Sequence, residues 1–346
     1  MKSLLNILLV PLSWLYGLCV WIRNLLYDEN ILASYTVSVP TICVGNLAAG
    51  GTGKTPMVEY LIRLLAPTYK VAVLSRGYGR KTKGFVMAND ESTAATIGDE
   101  MFQLHSKFPE VPVAVCADRL KGIKRLEREI KGLQAVILDD AFQHRRLECG
   151  FNILLTAYDN LYVNDHLLPW GRLREQKHGS NRANAVVVTK CPHTMQPIDR
   201  RVISNALHLP VFQLLYFSHI NYQAINIEGK PLVITGIAHP EYMLRHVRKQ
   251  YPLAGHIAFP DHHMFSDSDV NMIMAEMDKY DFLLTTEKDM ARMRLTALPE
   301  LLGGRLVGLP IEVSVETTHD SLDRQIKAYI YETLHHEEVN KSNIHK

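Results

Sequence analysis

The stretch that decides the fold reads Thr41-Ile-Cys-Val-Gly-Asn-Leu-Ala-Ala-Gly-Gly-Thr-Gly-Lys-Thr55. It begins as a short apolar strand and ends in a glycine-rich turn directly before a segment with helical character, residues 56–65. Backbone amides of such a turn can surround phosphate oxygens, and a helix N-terminus favours an anion at the same place. The stretch therefore predicts a phosphate-binding loop after a buried strand.

Two side chains of this loop have separate expected roles. Lys54 can reach the β and γ phosphates of a nucleotide, and the hydroxyl of Thr55 can bind magnesium. The full Walker pattern has Gly at position 48, where this chain has Ala48, so the pattern match is incomplete. A glycine-rich turn without a ligand is the alternative, but it does not explain a Lys-Thr pair at a helix start. The predicted nucleotide contacts are Gly50, Gly51, Thr52, Gly53, Lys54 and Thr55.

A pair of acidic residues follows another apolar run. Residues 135–138 read Ala-Val-Ile-Leu and lead directly into Asp139 and Asp140. A strand that is buried on both faces can present carboxylates only at its end, and a phosphate-binding loop needs a carboxylate for its metal. Asp139 and Asp140 are therefore predicted magnesium ligands together with Thr55. The spacing leaves open which of them binds the metal directly, and solvated loop acids are the alternative.

Apolar runs separated by helix-length segments continue along the chain. Runs rich in Val, Ile and Leu are typical of parallel sheets covered on both faces. They predict strands at 41–44, 71–74, 113–116, 135–138, 153–156, 186–189, 232–235, 256–259, 282–285 and 306–309. Residues 211–227 are either a strand or a linker. The predicted fold class is α/β, with two doubly wound α/β/α domains, the first of the P-loop NTPase type. The expected boundaries are a hydrophobic N-terminal membrane helix at 1–30, a P-loop domain at 31–215, a second α/β domain at 216–330 and a polar tail at 331–346.

Composition excludes several classes of protein. The 346 residues are 47% hydrophobic and 21% charged, which allows a large core and argues against a disordered or fibrous chain. A formal net charge of +2 gives no overall field for nucleic acid, and no nucleic-acid partner is expected. The five cysteines include no CxxC pair, so neither a disulfide framework nor a thiolate zinc site is indicated.

The N-terminus is the most apolar part of the chain. Residues 3–22 contain no charged side chain, and a helix of this length spans about 30 Å, the thickness of a bilayer core. Small or polar residues at positions 3, 6, 13, 17 and 24 fall on one helical stripe. We therefore expect an anchor embedded in the membrane surface, with a single span and a soluble core helix as alternatives. A cleaved signal peptide is disfavoured because no clear cleavage site follows.

Further candidate residues lie in predicted loops. Asp99 stands at the start of a probable helix, where capping that helix is the alternative role. His262 follows the run 256–259, where a surface histidine or a metal ligand is the alternative. Arg76 and Arg119 follow strands and are candidates for binding an anionic substrate.

Taken together and in order, the motifs resemble one family. They are Val44-Gly45-Asn46, Gly50-Gly-Thr-Gly-Lys-Thr-Pro56, Leu74-Ser-Arg-Gly-Tyr-Gly-Arg80, Gly98-Asp-Glu100, Asp139-Asp140-Ala-Phe-Gln143-His144, Leu168-Pro-Trp-Gly-Arg-Leu-Arg-Glu175, Gly236-Ile-Ala238, Phe259-Pro-Asp-His262 and Thr286-Glu-Lys-Asp289. The chain closely resembles the tetraacyldisaccharide 4'-kinases of the lipid A pathway of Gram-negative bacteria, from the N-terminus to about residue 290. In that family the loop follows Gly-Asn with this spacing, so Ala48 is no defect. Ala141, where the family usually has Gly, and Trp170, where it has a small residue, are departures that affect loop shape and acceptor fit.

The resemblance implies a reaction and a place for it. ATP and Mg²⁺ would serve as cosubstrate and metal, and the 4'-hydroxyl of an acylated disaccharide 1-phosphate lipid would be phosphorylated in a cleft between the domains. The N-terminal helix would hold the enzyme on the cytoplasmic face of the inner membrane. Asp99 would be the catalytic base, paired with His262, and Lys54 would bind phosphate oxygens. Candidate contacts for the acceptor's 1-phosphate or for membrane phosphates are Arg76, Arg119, Arg172 and Arg174. No protein partner is indicated.

Two other functions fit parts of the sequence. Residues 189–190 and 287–289 faintly resemble guanine-reading loops, which would suit a nucleotide-hydrolysing switch. Such a switch would hydrolyse nucleotide without phosphorylating a lipid. A membrane-tethered nucleotide-binding adaptor is the non-enzymatic alternative, but it leaves Asp99 and the acidic pair without a shared role.

Overall fold

The computed structural model describes residues 2–237, 240–261, 263–316 and 321–344 of the chain. Within these residues two β-sheets are surrounded by helices. The strands are β1 Thr41–Asn46, β2 Val71–Ser75, β3 Val86–Met87, β4 Val113–Val115, β5 Ala135–Asp139, β6 Phe151–Ala157, β7 Ala185–Thr189, β8 Leu214–Tyr222, β9 Pro231–Thr235, β10 Gly255–Ala258, β11 Phe282–Thr286, β12 Leu306–Leu309 and β13 Ile311–Val315. The helices are α1 Lys2–Asp28, α2 Lys54–Leu65, α3 Ala94–Ile97, α4 Asp99–Lys107, α5 Arg119–Glu129, α6 Pro197–Leu207, α7 Glu241–Gln250, α8 Asp267–Met277, α9 Glu287–Met293, α10 Leu298–Leu302 and α11 Leu322–Ile344.

The first sheet has the strand order β13-β8-β7-β6-β1-β5-β2-β4-β3. Its strands from β8 to β4 in this order run parallel, and the two edge strands, β13 and β3, run antiparallel to their neighbours. Helices α2, α4 and α11 pack on one face, and α5 and α6 pack on the other. This arrangement explains the apolar runs, because every residue of β1 and of β5 is buried. We call this sheet with these helices the first unit.

The second sheet has the order β10-β9-β11-β12, and all of its strands are parallel. Helix α7 covers one face, and α8, α9 and α10 cover the other. We call this sheet with α7 to α10 the second unit. The predicted α/β class, with a P-loop-type first unit and a second α/β unit, is confirmed.

Sheet membership differs from the expected boundaries in two places. Strand β8 runs across position 215 and pairs with β7, so it belongs to the first sheet. The chain later returns through β13, which pairs with β8, and through α11. Residues 211–227 were left open between a strand and a linker, and β13 was not predicted, because neither strand is buried along its whole length. The expected polar tail at 331–346 also differs, because α11 continues to Ile344.

Helix α1 lies against the first unit through its polar stripe. Ser13 Oγ donates to Leu167 O at 2.8 Å, Tyr16 OH donates to Arg174 O at 2.8 Å, and Asn24 Nδ2 donates to Glu175 Oε2 at 3.2 Å. The opposite side exposes large apolar side chains: Leu12, Trp14, Leu15, Leu18, Trp21, Ile22 and Leu25. Within this helix, Leu9–Asp28 is long and apolar enough to cross a membrane. Its polar stripe is thus a docking face, and its apolar side has no cover in the described chain.

The C-terminal helix makes a testable contribution to stability. Leu322, Ile326 and Ile330 are buried at four-residue intervals against the first sheet. We expect Ile330→Ala to lower the free energy of unfolding by about 2–5 kcal/mol, because it leaves a cavity in a close-packed core. Tyr331, which is 58% exposed, is the matched control. Tyr331→Ala should change the free energy of unfolding by less than about 0.5 kcal/mol. Urea denaturation followed by circular dichroism measures both, and equal effects would place α11 outside the core.

Candidate active site

The phosphate-binding loop is shaped by the residue that ends β1. Asn46 Nδ2 donates to Ala48 O at 2.6 Å and to Thr52 Oγ1 at 2.7 Å, so one buried amide fixes both sides of the loop. Gly50 and Gly53 have φ of 111° and 86°, a region that favours glycine. Ala48 is not among the non-glycine residues with positive φ, so position 48 does not require glycine. This explains why the incomplete Walker pattern still forms a loop.

The end of β7 supports the loop from the other side. Thr189 Oγ1 donates to Thr52 O at 2.8 Å, and Lys190 Nζ donates to Gly51 O at 2.7 Å. Burial lowers the pKa of the Lys190 ammonium group. Sequence analysis noted this dipeptide only for a faint likeness to guanine-reading loops. Its position at the end of a strand in the same sheet is the signal that could have linked it to the loop.

The acidic pair lies beside the loop because β1 and β5 are neighbours. Their parallel register aligns Val44 with Asp139. Asp139 is buried, and its Oδ2 accepts a hydrogen bond from Ser75 Oγ at 2.9 Å. Its Oδ1 has no hydrogen-bond partner among the described residues. Burial, with the charges of Glu100 and Asp140, raises the pKa of Asp139 to about 7.

Asp140 has a different environment although it is the next residue. Arg174 donates to both of its oxygens, at 2.9 and 2.8 Å, and Lys54 Nζ lies 3.9 Å from Oδ2. Burial acts against the charged form, but the hydrogen bonds from Arg174 and the charge of Lys54 prevail and lower the pKa of Asp140. Arg174 also donates to the backbone oxygen of Asn46 at 2.9 Å and to its side-chain oxygen. The pKa values of the two adjacent carboxyl groups are therefore shifted in opposite directions.

The arginines predicted to bind anions have different surroundings. Arg76 lines the cavity described below. Arg119 is buried under the acidic pair and donates to Ala117 O at 3.1 Å and to Asp140 O at 3.3 Å. Arg172 Nε donates to Asp165 Oδ2 at 2.9 Å, and Arg172 does not line the cavity. Arg174 is occupied by Asp140 and Asn46, so of these four only Arg76 lines the cavity without a hydrogen bond or ion pair to another described residue.

Asp99 is the first residue of α4 and follows Gly98, whose φ is 86°. The N-cap position is thus Gly98 rather than Asp99, and no side-chain cap hydrogen bond forms there. In the second unit, Arg292 Nε lies 3.8 Å from Asp99 Oδ2. His262, the predicted partner of Asp99, lies outside the described residues. Arg292 was not predicted from the sequence. It lies one helical turn after Asp289, the last residue of the motif Thr286-Glu-Lys-Asp289.

One cavity of about 1610 Å³ brings most of these groups together. From the first unit it is lined by Gly50, Gly51, Thr52, Gly53, Lys54, Thr55, Arg76, Asp99, Arg119, Asp139, Asp140 and Arg174. From α1 it is lined by Tyr16, Val20, Arg23 and Asn24, and from the second unit by residues that include Tyr242, Lys249, Thr286, Glu287 and Lys288. The cavity is large enough for a nucleotide together with a second substrate.

A P-loop, an acidic pair on the adjacent strand and a second α/β unit across a shared cavity define a two-unit enzyme of the P-loop NTPase class. Residues 5–331 match the family described as tetraacyldisaccharide-1-P 4'-kinase, and the chain belongs to this family of kinases. The tetraacyldisaccharide 4'-kinase of Flavobacterium johnsoniae is 43% identical over 345 residues, covering 96% of this chain and 99% of the relative. That of Bacteroides fragilis strain YCH46 is 43% identical over 349 residues, covering 94% and 93%.

A solved structure has the same architecture. The crystal structure of LpxK from Aquifex aeolicus in complex with ATP has a TM-score of 0.71 and 27% sequence identity to this chain. The match covers 94% of this chain and 98% of the other. Similarity over the whole length extends the match beyond the P-loop unit, because a shared nucleotide loop alone would cover only part of either chain.

The environment of Asp139 predicts a pH effect on stability. Its pKa of about 7 in the folded chain lies above the ordinary aspartate value of 3.8. Between these values the folded state keeps a proton that the unfolded state releases, so the free energy of unfolding falls as pH rises, by up to about 1.4 kcal/mol per pH unit. Asp139→Asn removes this contribution. Urea unfolding in EDTA at pH 4.5 to 8 measures the free energy of unfolding of both proteins. The difference, variant minus wild type, should increase with pH up to about pH 7. A difference that does not change with pH would contradict the raised pKa of Asp139.

Proposed function

We propose that this chain transfers the γ-phosphoryl group of ATP to the 4'-hydroxyl of a tetraacyldisaccharide 1-phosphate, giving lipid IVA. The observation that carries the proposal is the shared cavity, in which the phosphate-binding loop and Asp99 face the inner side of α1. The outer side of the same helix is exposed and apolar. A lipid can therefore present its sugar to the nucleotide while its acyl chains stay beside α1 in the membrane.

The nucleotide is held by the first unit. Amides of the loop at residues 50–53 and the N-terminus of α2 bind the phosphate oxygens, and Lys54 adds a positive charge. Lys54 Nζ lies 3.4 Å from Asn46 Oδ1 and 3.9 Å from Asp140 Oδ2. Both neighbours keep the ammonium group directed towards the loop. Phosphoryl transfer depends mainly on such positioning and on neutralising charge.

The residues present fit magnesium. Asp139 Oδ1 is a buried acceptor without a partner among the described residues, and a buried carboxylate oxygen of this kind calls for a cation. Thr55, Asp139 and Asp140 offer only oxygen ligands, the type that Mg²⁺ prefers. Mg²⁺ would be held by these residues and would neutralise charge on the phosphates. The contrast between the acids favours Asp139 as the direct ligand, because Arg174 already occupies both oxygens of Asp140.

Asp99 is the proposed catalytic base. It lies at the cavity, at the start of α4, and its carboxylate can accept the proton of the acceptor hydroxyl as the new bond to phosphorus forms. Arg76 lies on the same cavity and is the proposed contact for an acceptor phosphate. His262 keeps the pairing role with Asp99 that the family resemblance implies.

Helix α1 is proposed to lie in the membrane surface on the cytoplasmic face of the inner membrane, where ATP is present. Its polar stripe contacts the first unit from Ser13 to Asn24, a length of about 17 Å. A helix that is in contact with a water-soluble body along this length cannot cross a bilayer there. The exposed apolar side can instead enter the membrane interface while the polar side remains docked.

The kinase reaction is tested by following labelled γ-phosphate from ATP into a tetraacyldisaccharide 1-phosphate in mixed micelles. We expect label at the 4' position with the wild type and almost none with Lys54→Ala, because the loop loses its charge contact to the transferred group. Nucleotide hydrolysis without labelled lipid would instead support a hydrolysing switch. Binding of ATP without either reaction would support an adaptor.

Membrane attachment is tested by flotation with vesicles that contain anionic phospholipid. Trp14→Glu combined with Leu18→Glu should reduce the fraction that floats by at least about tenfold, because two charges enter the apolar side of α1. Leu301→Glu is the matched control, since Leu301 is 50% exposed and Leu18 is 51% exposed. The control should float like the wild type. Unchanged flotation of the double variant would move the attachment to another surface.

A further inference from the structure

Arg292 is a fully buried charged side chain in the second unit. Its Nη1 donates to Asp289 Oδ1 at 3.0 Å, to Gly236 O at 3.3 Å and to His263 O at 3.3 Å. A buried guanidinium group needs such partners, because an unpaired buried charge is strongly destabilising. One edge of this group is thus fixed by α9 and by two loops that follow strands of the second sheet.

The other edge of the guanidinium group faces the first unit. Nε and Nη2 have no hydrogen-bond partner among the described residues, and Nε lies 3.8 Å from Asp99 Oδ2. Unsatisfied buried N–H groups are rare in folded proteins and call for an explanation. A guanidinium group keeps its charge at every physiological pH, so Arg292 always presents a positive charge to this carboxylate.

The direction of Arg292 is itself held by a buried acid. Asp289 has no exposed surface, and its Oδ2 accepts hydrogen bonds from Gly236 N at 2.9 Å and from Thr286 Oγ1 at 2.8 Å. Its Oδ1 binds Arg292. Because Asp289 is fixed from three sides, the guanidinium group has little freedom to turn away from Asp99.

We propose that Arg292 is a positioning residue, which from α9 of the second unit holds the Asp99 carboxylate in the orientation that accepts the proton of the acceptor hydroxyl. This inference rests on the proposed function, in which Asp99 is the base. A consequence is that the first unit does not complete its own catalytic base. The base is fixed only when the second unit packs against α4.

Other ion pairs join the same two helices without involving Asp99. Lys107 Nζ, at the far end of α4, lies 2.7 and 2.6 Å from the two carboxylate oxygens of Glu287 on α9. Lys107 also lies 2.8 Å from Glu59 Oε2. Loss of Lys107 therefore weakens the contact between the units but leaves the Arg292 side chain in place. Lys107→Met is the matched control for a purely structural effect.

The test is a double-mutant cycle in the lipid phosphorylation assay. We expect Arg292→Met to lower kcat by about 10–100-fold and to change the KM for ATP by less than about threefold, since misplacing a catalytic group impairs the chemical step rather than nucleotide binding. Asp99→Asn should lower kcat by about 10²–10⁴-fold. In the Asp99→Asn background, adding Arg292→Met should lower kcat by less than about a further threefold, because the group that Arg292 positions is already lost. Lys107→Met should lower kcat by the same factor in the wild-type and Asp99→Asn backgrounds.

Equal costs of Arg292→Met in the two backgrounds would overturn the inference, and so would an effect confined to the KM for ATP. If Arg292→Met does not fold, Arg292→Lys takes its place in the cycle, since it keeps a charge for Asp289 but loses the planar fork. A wild type that labels no lipid, or an Asp99→Asn variant with wild-type kcat, would show that the proposed function fails, and the inference would fall with it. Those outcomes are distinct from a working base that Arg292 does not influence.

Discussion

Parallel pairing of β1 with β5 is the constraint on which the rest of the site depends. It places the loop that follows Asn46 and the acids that follow Leu138 at the same edge of the sheet, because parallel strands end together. A shift of one residue in this register would turn Asp139 from the cavity to the opposite face. The buried, apolar character of both strands fixes the register, so the acidic pair and the phosphate loop are aligned by the packing of the sheet.

A second constraint connects α1 to this edge. Residues 173–176 lie between α1 and the acidic pair, and consecutive side chains of this segment contact the two sides. Arg174 forms the double hydrogen bond to Asp140, and Glu175 accepts from Asn24 of α1, from Gln143 at 2.9 Å and from Arg182 at 2.8 Å. A buried acid is tolerated here because every neighbour is a donor. The surface that contacts α1 and the surface that faces the cavity thus share one short segment.

The sequence predicted the parts of the fold that are buried on both faces. The central strands are long apolar runs, and their ends were located to within one or two residues. The acidic pair was located because it directly follows one of these runs. The segment of β8 was left open between a strand and a linker and β13 was missed because neither is buried along its whole length, and the part of α11 after residue 330 was taken for a tail because its sequence is mostly polar. In the site, residue type and spacing identified the loop and the acids. They could not show that Arg174 binds Asp140 rather than a substrate, because that depends on how distant segments meet in space.

The charges around the cavity come from both units. The first unit alone places Asp99, Glu100, Asp139 and Asp140 around one cavity, and a nucleotide would add further negative charge. Lys54 and Arg174 are committed to the loop and to Asp140. The second unit provides positive charge at this place, with Arg292 near Asp99 and Lys288 3.8 Å from Glu100. Because opposite charges attract most strongly where water is excluded, these two ion pairs favour the packing of α9 on α4.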